Sequence, residues 1–212
     1  FHLERLGLLR GRLIAAHAVH LDGSEIDLLS ERSLGIVHAP QSNMKLASGV
    51  ARVSDMVARG IHPGLGTDGC ASNNDLDLFR EMDTAAKLSK VFTLDPTSLS
   101  AATVLKMATV WGAGVLGLER EIGTLEVGKK ADLIVVDTRS PHLVPLYHPF
   151  STLVYAASGA DVRHVMVNGR ILLKDRCFLT LDPEEIMTRV REISCSLSPS
   201  SSPPLPCRGF FH

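Results

Sequence analysis

Three short apolar runs, each stopping at a polar residue, constrain the fold of this chain more than any other feature. Leu13 to Ala16 leads into His17, Gly35-Ile36-Val37 into His38, and Ile61 to Leu65 into Thr67-Asp68. Between them lie stretches with helical spacing: Glu25 to Arg32, with Ile26, Leu28 and Leu29, and Val50 to Arg59, with Val53, Met56 and Val57. Short apolar strands alternating with helices predict parallel β-strands joined by right-handed crossovers, hence an α/β sheet or barrel. In a (β/α)8 barrel, polar residues at the C-terminal ends of strands face the active site. His17, His38 and Asp68 are expected on that face.

The rest of the chain divides by texture. Residues 1–10 have the amphipathic spacing of a helix end before the turn Arg10-Gly11-Arg12. Leu76 to Lys90 and Ser100 to Leu116 read as helices, the second with Ala101, Val104, Leu105 and Ala108 along one face and Gly117 as its cap. After Ile122-Gly123 the pattern turns to β, with strands expected over Asp132–Asp137, Thr152–Ala156, Val162–Asn168 and Gly169–Leu173, and Asn168-Gly169 as a hairpin turn. The expected organisation is therefore a barrel-like part over 1–120, a small β-rich part over 121–181, a helix over 182–195 and a Ser/Pro-rich tail over 196–212 that should not pack.

Composition narrows the partners. Hydrophobic residues make up 45% and charged residues 21% of the 212, which argues against both a disordered and a membrane protein. The net charge of −1, from 22 basic and 23 acidic residues without a basic stripe, offers no footprint for nucleic acid or an anionic membrane. A small-molecule substrate is expected. Cys70, Cys177, Cys195 and Cys207 lie far apart with no CxxC spacing, which fits a reducing, cytoplasmic compartment better than a disulfide framework or a zinc finger. A chain that opens on Phe1 within a helix-like FHLERLGLL is expected to be part of a longer polypeptide.

Five segments in order carry a resemblance: Ala15–Leu21 (AAHAVHL), His38–Gly49 (HAPQSNMKLASG), Leu65–Met82 (LGTDGCASNNDLDLFREM), Leu105–Ala113 (LKMATVWGA) and Ile122–Asp137 (IGTLEVGKKADLIVVD). They resemble the amidohydrolase superfamily, and within it the 5′-methylthioadenosine/S-adenosylhomocysteine deaminases. The resemblance implies a (β/α)8 TIM-type barrel with one divalent metal, Zn²⁺ or else Fe²⁺, and a β-sandwich built from both chain termini. Strands six, seven and eight and the C-terminal part of the sandwich are expected here. It also implies that Asp68 is the eighth-strand metal ligand and contacts substrate, that His17 is the sixth-strand histidine beside the metal-bound water, and that the His-x-His pair and the His-x-x-Glu motif supplying the other ligands are absent from this chain.

The chemistry implied is hydrolytic deamination of an adenine-type nucleoside. A bound Zn²⁺ or Fe²⁺ lowers the pKa of its water toward about 7. A carboxylate such as Asp68 can ligate the ion, accept the proton of the attacking water and pass it to the departing amine. His17 would orient the nucleophile. Sister reactions on the same site, such as guanine or cytosine deamination or triazine dechlorination, stand as alternatives, as does a non-catalytic truncated product. The isolated chain is expected to be inactive and poorly soluble, and homo-oligomerisation of the parent is a further expectation.

Other polar residues carry blander readings. His20, His38 and His62 suit structural roles, with His38 also a candidate for holding a loop through Pro40. Ser42-Asn43 and Ser72-Asn73-Asn74 either line the pocket or cap loops. Gly128-Lys129-Lys130 reads as a turn, and Met56, Met82 and Met107 as core fillers. Ala39, Arg52 and Pro63 depart from the family pattern, Pro63 by weakening strand pairing where an N–H is missing.

Overall fold

The computed structural model describes residues 1–9, 11, 13–32 and 34–197. Arg10 and Arg12 of the expected turn, and the tail from residue 198 on, lie outside the described residues. The chain runs α1 (His2–Arg5), β1 (Leu13–Ala16), α2 (Gly23–Ser30), β2 (Leu34–His38), α3 (Pro40–Lys45), α4 (Val53–Ala58), β3 (Gly64–Leu65), α5 (Cys70–Asn73), α6 (Leu78–Thr93), α7 (Ala101–Ala108) and α8 (Val110–Leu116). It continues through β4 (Leu133–Val136), α9 (Pro149–Tyr155), β5 (Val162–Val167), β6 (Arg170–Lys174), β7 (Cys177–Phe178) and α10 (Pro183–Leu197).

The three apolar runs form one parallel sheet in the order β1-β2-β3. Leu13 pairs with Leu34 and Ala16 with Val37, while Val37 pairs with Gly64 and His38 with Leu65. Helices α2, α6 and α7 start where the sequence supplies caps. At α2 the Asp22 carboxylate accepts from the Glu25 N–H at 2.8 Å while Glu25 accepts from the Asp22 N–H, a capping box. Asp77 accepts from the Phe79 N–H at the head of α6 and Ser100 from the Thr103 N–H at the head of α7.

Two apolar clusters hold these elements. One joins Leu9, Ile26, Leu29, Ile36, Met56 and Ile61, fixing α2 and α4 against the sheet. The larger joins α4, α6, α7 and α9 through residues that include Val53, Phe79, Met82, Ala86, Val104, Met107 and Val154. Met56, Met82 and Met107 are all buried, as core fillers should be. Each such side chain contributes on the order of 1.5–3 kcal/mol by leaving water. Helix α8 lies so close to β3 that a Cβ on Gly64 would stand 3.1 Å from the Gly112 Cα. Glycine at 64 lets the two backbones approach without either having to give.

The antiparallel sheet β4-β5-β6-β7 follows, with Asn168 and Gly169 at φ +48° and +76° in the β5–β6 turn, both positive as a tight hairpin needs. Gly128 lies in a turn as expected. Leu13 and Ile14 of β1 are 36% and 44% exposed, and α10 has no buried residue, leaving Ile186, Val190, Ile193 and Leu197 in water. No described helix is long and apolar enough to cross a membrane. Cys70, Cys177 and Cys195 are free and exposed.

Three expectations are corrected. Thr152–Ala156, read as a strand from its β-branched and aromatic content, forms the end of helix α9 with Ala156 as its C-cap: Pro149 sits in the first turn and the His148 ring accepts from the Ser151 N–H, so the start signal overrides propensity. Ser100–Leu116 is two helices, broken at Thr109 (φ −128°, ψ −99°), whose hydroxyl bonds back to the Leu105 carbonyl at 2.7 Å. The expected strand over Ile61–Leu65 pairs only at Gly64 and Leu65, because the buried Pro63 has no N–H to give to a ladder.

Candidate active site

Parallel register brings the ends of β1, β2 and β3 to one edge. His17 directly follows β1 and its N–H still donates to the Val37 carbonyl at 2.8 Å; His38 ends β2, and Gly66 just past β3 donates to the His38 carbonyl at 3.0 Å. From that edge the chain turns sharply. His17 and Asp68 have φ of +69° and +64°, a left-handed backbone that costs a non-glycine residue about 1 kcal/mol.

The two side chains meet. His17 Nε2 lies 3.8 Å from Asp68 Oδ2, with the side chains 39% and 34% exposed. At that separation the pair is not directly hydrogen-bonded, and an oxygen atom can reach both. The Asp68 carboxylate is held by the hydroxyl of Ser42 at 2.6 Å and by the Gly69 N–H at 2.8 Å, with the Ser72 hydroxyl, which donates to the Gly69 carbonyl at 3.0 Å, close by. These donors, Ser42 first, lower its pKa to about 2, so it stays ionised through the physiological range. On the other side His17 Nδ1 lies 2.8 Å from Asn43 Oδ1. An accepting amide oxygen puts the proton on Nδ1 and leaves Nε2, toward Asp68, as the free lone pair of the neutral ring.

Ser42 and Asn43 are therefore not loop caps. They sit in the first turns of α3, started by Pro40 directly after β2, and are only 1% and 2% exposed. Asn73 is buried too: its Nδ2 donates to the Thr67 carbonyl at 2.7 Å and to Glu81 Oε1 at 2.6 Å. Glu81, on α6, is fully buried, and its Oε2 accepts from the Gln41 N–H at 3.3 Å. Burial pushes its carboxyl up to about 7, the Gln41 and Asn73 donors opposing and the charges of Asp75 and Asp68 adding to the rise. Sequence reasoning missed Glu81 and Gln41; the one signal was that Glu81 stands four residues before the buried Ala85, on the inner side of α6.

The other candidates separate from the pair. His38 is 3% exposed, and burial with the neighbouring His17 lowers its pKa to about 4, so it is neutral at pH 7. Its Nδ1 has no hydrogen-bond partner among the described residues, so no such bond from this nitrogen ties down the loop at Pro40. His62 stacks on Trp111 with ring centroids 4.4 Å apart, and His20 is exposed. Asp68 offers ionised carboxylate oxygens suited to a divalent cation, yet among the described residues no group of three or more His, Cys, Asp or Glu could hold one. The pair fits one side of a metal site.

The chain is similar to known proteins in sequence and in fold. The amidohydrolase family profile covers residues 1–172. A 5-methylthioadenosine/S-adenosylhomocysteine deaminase of Syntrophobacter fumaroxidans is 57% identical over 198 residues, 93% of this chain and 45% of that relative. The crystal structure of an adenosine deaminase from Xanthomonas campestris with bound zinc superposes with a TM-score of 0.90 at 43% identity, over 92% of this chain and 44% of its own. The zinc complex of atrazine chlorohydrolase from Arthrobacter aurescens gives 0.80 at 27% identity, over 90% and 42%. The chain thus spans less than half the length of these relatives, and it belongs to the amidohydrolase family.

Proposed function

We propose that this chain is the C-terminal part of a metal-dependent hydrolytic deaminase for adenine-type nucleosides of the methylthioadenosine and S-adenosylhomocysteine class. The observation that carries the reading is the convergence of His17 and Asp68, 3.8 Å apart at one sheet edge; the 57% identity to a deaminase of that class supports the substrate. On this reading β1, β2 and β3 are strands six, seven and eight of an eight-stranded barrel, and β4–β7 belong to the β-sandwich beside it. Asp68 would hold a divalent metal, zinc in preference to iron since the adenosine deaminase and chlorohydrolase relatives carry zinc, with the remaining ligands supplied from outside this chain.

When bound, the ion supplies Lewis acidity and a readily ionised water. The chain's own residues do the rest. His17, with its Nδ1 proton held by Asn43, presents Nε2 as a hydrogen-bond acceptor for the attacking water. Asp68 Oδ2, within reach of the same oxygen, is the second acceptor and can carry the proton toward the leaving amine. The water oxygen ends as the ring carbonyl and the amino group leaves as ammonia.

Ammonia release by the full-length polypeptide from 5′-methylthioadenosine and S-adenosylhomocysteine, beside chloride release from atrazine, tests the proposal. Deamination is expected. Chloride release without any deamination would sink the nucleoside reading in favour of a triazine hydrolase, the alternative that the chlorohydrolase likeness keeps open.

A further inference from the structure

We propose that Glu81 is a positioning residue for the Asp68–His17 pair, tying the loop that carries Asp68 and the helix that touches both side chains to one buried carboxyl. The proposal rests on the reading of that pair as catalytic. A fully buried acid is costly to desolvate and persists where its oxygens are satisfied. Both oxygens of Glu81 are satisfied by groups that lead to the pair. Oε2 accepts from the N–H of Gln41 at 3.3 Å, the residue before Ser42 and Asn43, which in turn bond Asp68 at 2.6 Å and His17 at 2.8 Å. Oε1 accepts at 2.6 Å from Asn73 Nδ2, and the same nitrogen donates at 2.7 Å to the carbonyl of Thr67, the residue before Asp68.

The accounting at Asn73 strengthens the argument. A side-chain NH₂ has two donors; here one goes to Glu81 and the other to Thr67, while Oδ1 accepts from the Asp75 N–H at 3.3 Å. No donor is left over, so Asn73 can hold the Asp68 loop in place only while Glu81 fixes its own amide. Asp68 sits in a left-handed backbone at φ +64°, a conformation whose cost of about 1 kcal/mol its neighbours offset by holding the loop. Glu81 is the group through which α6, the longest helix described, supplies that constraint from two directions. It touches neither Asp68 nor His17 and acts through Asn73 and α3.

The test uses the full-length polypeptide with Glu81→Met, which keeps the volume and removes both acceptors, Glu81→Gln, which keeps one acceptor, Asn73→Ala, and the Glu81→Met/Asn73→Ala double variant. Readouts are Zn²⁺ affinity by chelator competition, the visible spectrum of the Co²⁺-loaded protein, and kcat and KM on 5′-methylthioadenosine. Glu81→Met is expected to weaken Zn²⁺ binding and lower kcat by about 10–100-fold, to alter the Co²⁺ spectrum and to leave KM nearly unchanged. Glu81→Gln should fall between it and the unsubstituted protein. The double variant should be no worse than the poorer single one, since both act along one chain of bonds. Ser98→Ala, which breaks a buried hydroxyl cluster with Ser54 and Ser89 elsewhere, should lower Tm without moving the spectrum, separating positioning from general destabilisation. An unchanged affinity, spectrum and kcat in Glu81→Met, or losses that simply add in the double variant, overturns the proposal. If Glu81→Met does not fold, Glu81→Gln and Asn73→Ala decide by the same readouts. An unsubstituted protein that takes up no metal and deaminates nothing refutes the reading of the pair itself, and this proposal with it.

Discussion

Replacing Glu81 by Gln should change how stability depends on pH, in a direction fixed by the burial of the carboxyl. In the folded protein its pKa rises from the ordinary 4.5 to about 7. Between those values the folded state binds a proton that the unfolded state does not, so stability falls as pH rises. Its stabilising part is complete below pH 4.5 and is gone above about 7. The slope across that window is about 1.36 kcal/mol per pH unit, which over the interval amounts to roughly 3 kcal/mol. Gln does not titrate, so the variant loses this slope and keeps only a pH-independent offset from the acceptor it lacks. Urea unfolding of both proteins from pH 4.5 to 8, at fixed ionic strength and with chelator present, isolates the effect because the titrations of groups that do not interact with Glu81 cancel in the difference. The advantage of the parent over Glu81→Gln should shrink by roughly 3 kcal/mol from the acid to the alkaline end. A flat difference would refute the argument, since it would mean that the carboxyl ionises at its ordinary pKa despite full burial.

Three further outcomes follow from the structure. The isolated 212-residue chain should retain no stoichiometric metal after dialysis and deaminate nothing, because no three candidate ligands converge among its described residues; turnover abolished by Asp68→Ala in that chain would contradict this. Asn43→Leu in the full-length protein should lower kcat about 10–100-fold and displace its pH profile, because the His17 tautomer loses the acceptor that sets it; an unchanged profile would remove Asn43 from the site. Val154→Ala, at a fully buried position of α9, should cost about 2–3 kcal/mol in urea unfolding, whereas Tyr147→Ala, at a position 88% exposed, should cost well under 1 kcal/mol.

The parallel sheet was legible because its strands announce themselves twice, as apolar runs and by the polar residue that ends each one. Leu13–Ala16 emerged with the expected bounds, whereas the third run was overestimated because the Ile61 N–H is spent on the Met56 carbonyl and Pro63 has none to give to the ladder. The residues of α9 misled for a different reason: Thr152, Leu153, Val154 and Tyr155 favour strands, and the deciding signals lie before them, at His148 and Pro149. At the site, His17 and Asp68 were visible through the segments they close. Ser42, Asn43 and Asn73 were visible only as polar residues with two readings, and tertiary placement settled between them. Glu81 was not visible, since an acid beside Arg80 in a helix reads as solvated surface until α3 and α5 are packed over it.

The left-handed backbone at His17 and Asp68 also acts as a filter on variation. A β-branched residue at either position would clash with its own carbonyl before any question of chemistry arose, while Asn, Asp, His and Gly pass at little cost. Substitution at these two sites therefore carries a backbone cost on the order of 1–2 kcal/mol for most side chains, least for Asn, Asp, His and Gly. Unbranched aliphatic residues are not barred, since Leu94 and Leu99 hold positive φ of +54° and +43° elsewhere in the chain, but the exchange the backbone favours at 68 is to Asn, which keeps the turn and discards the charge.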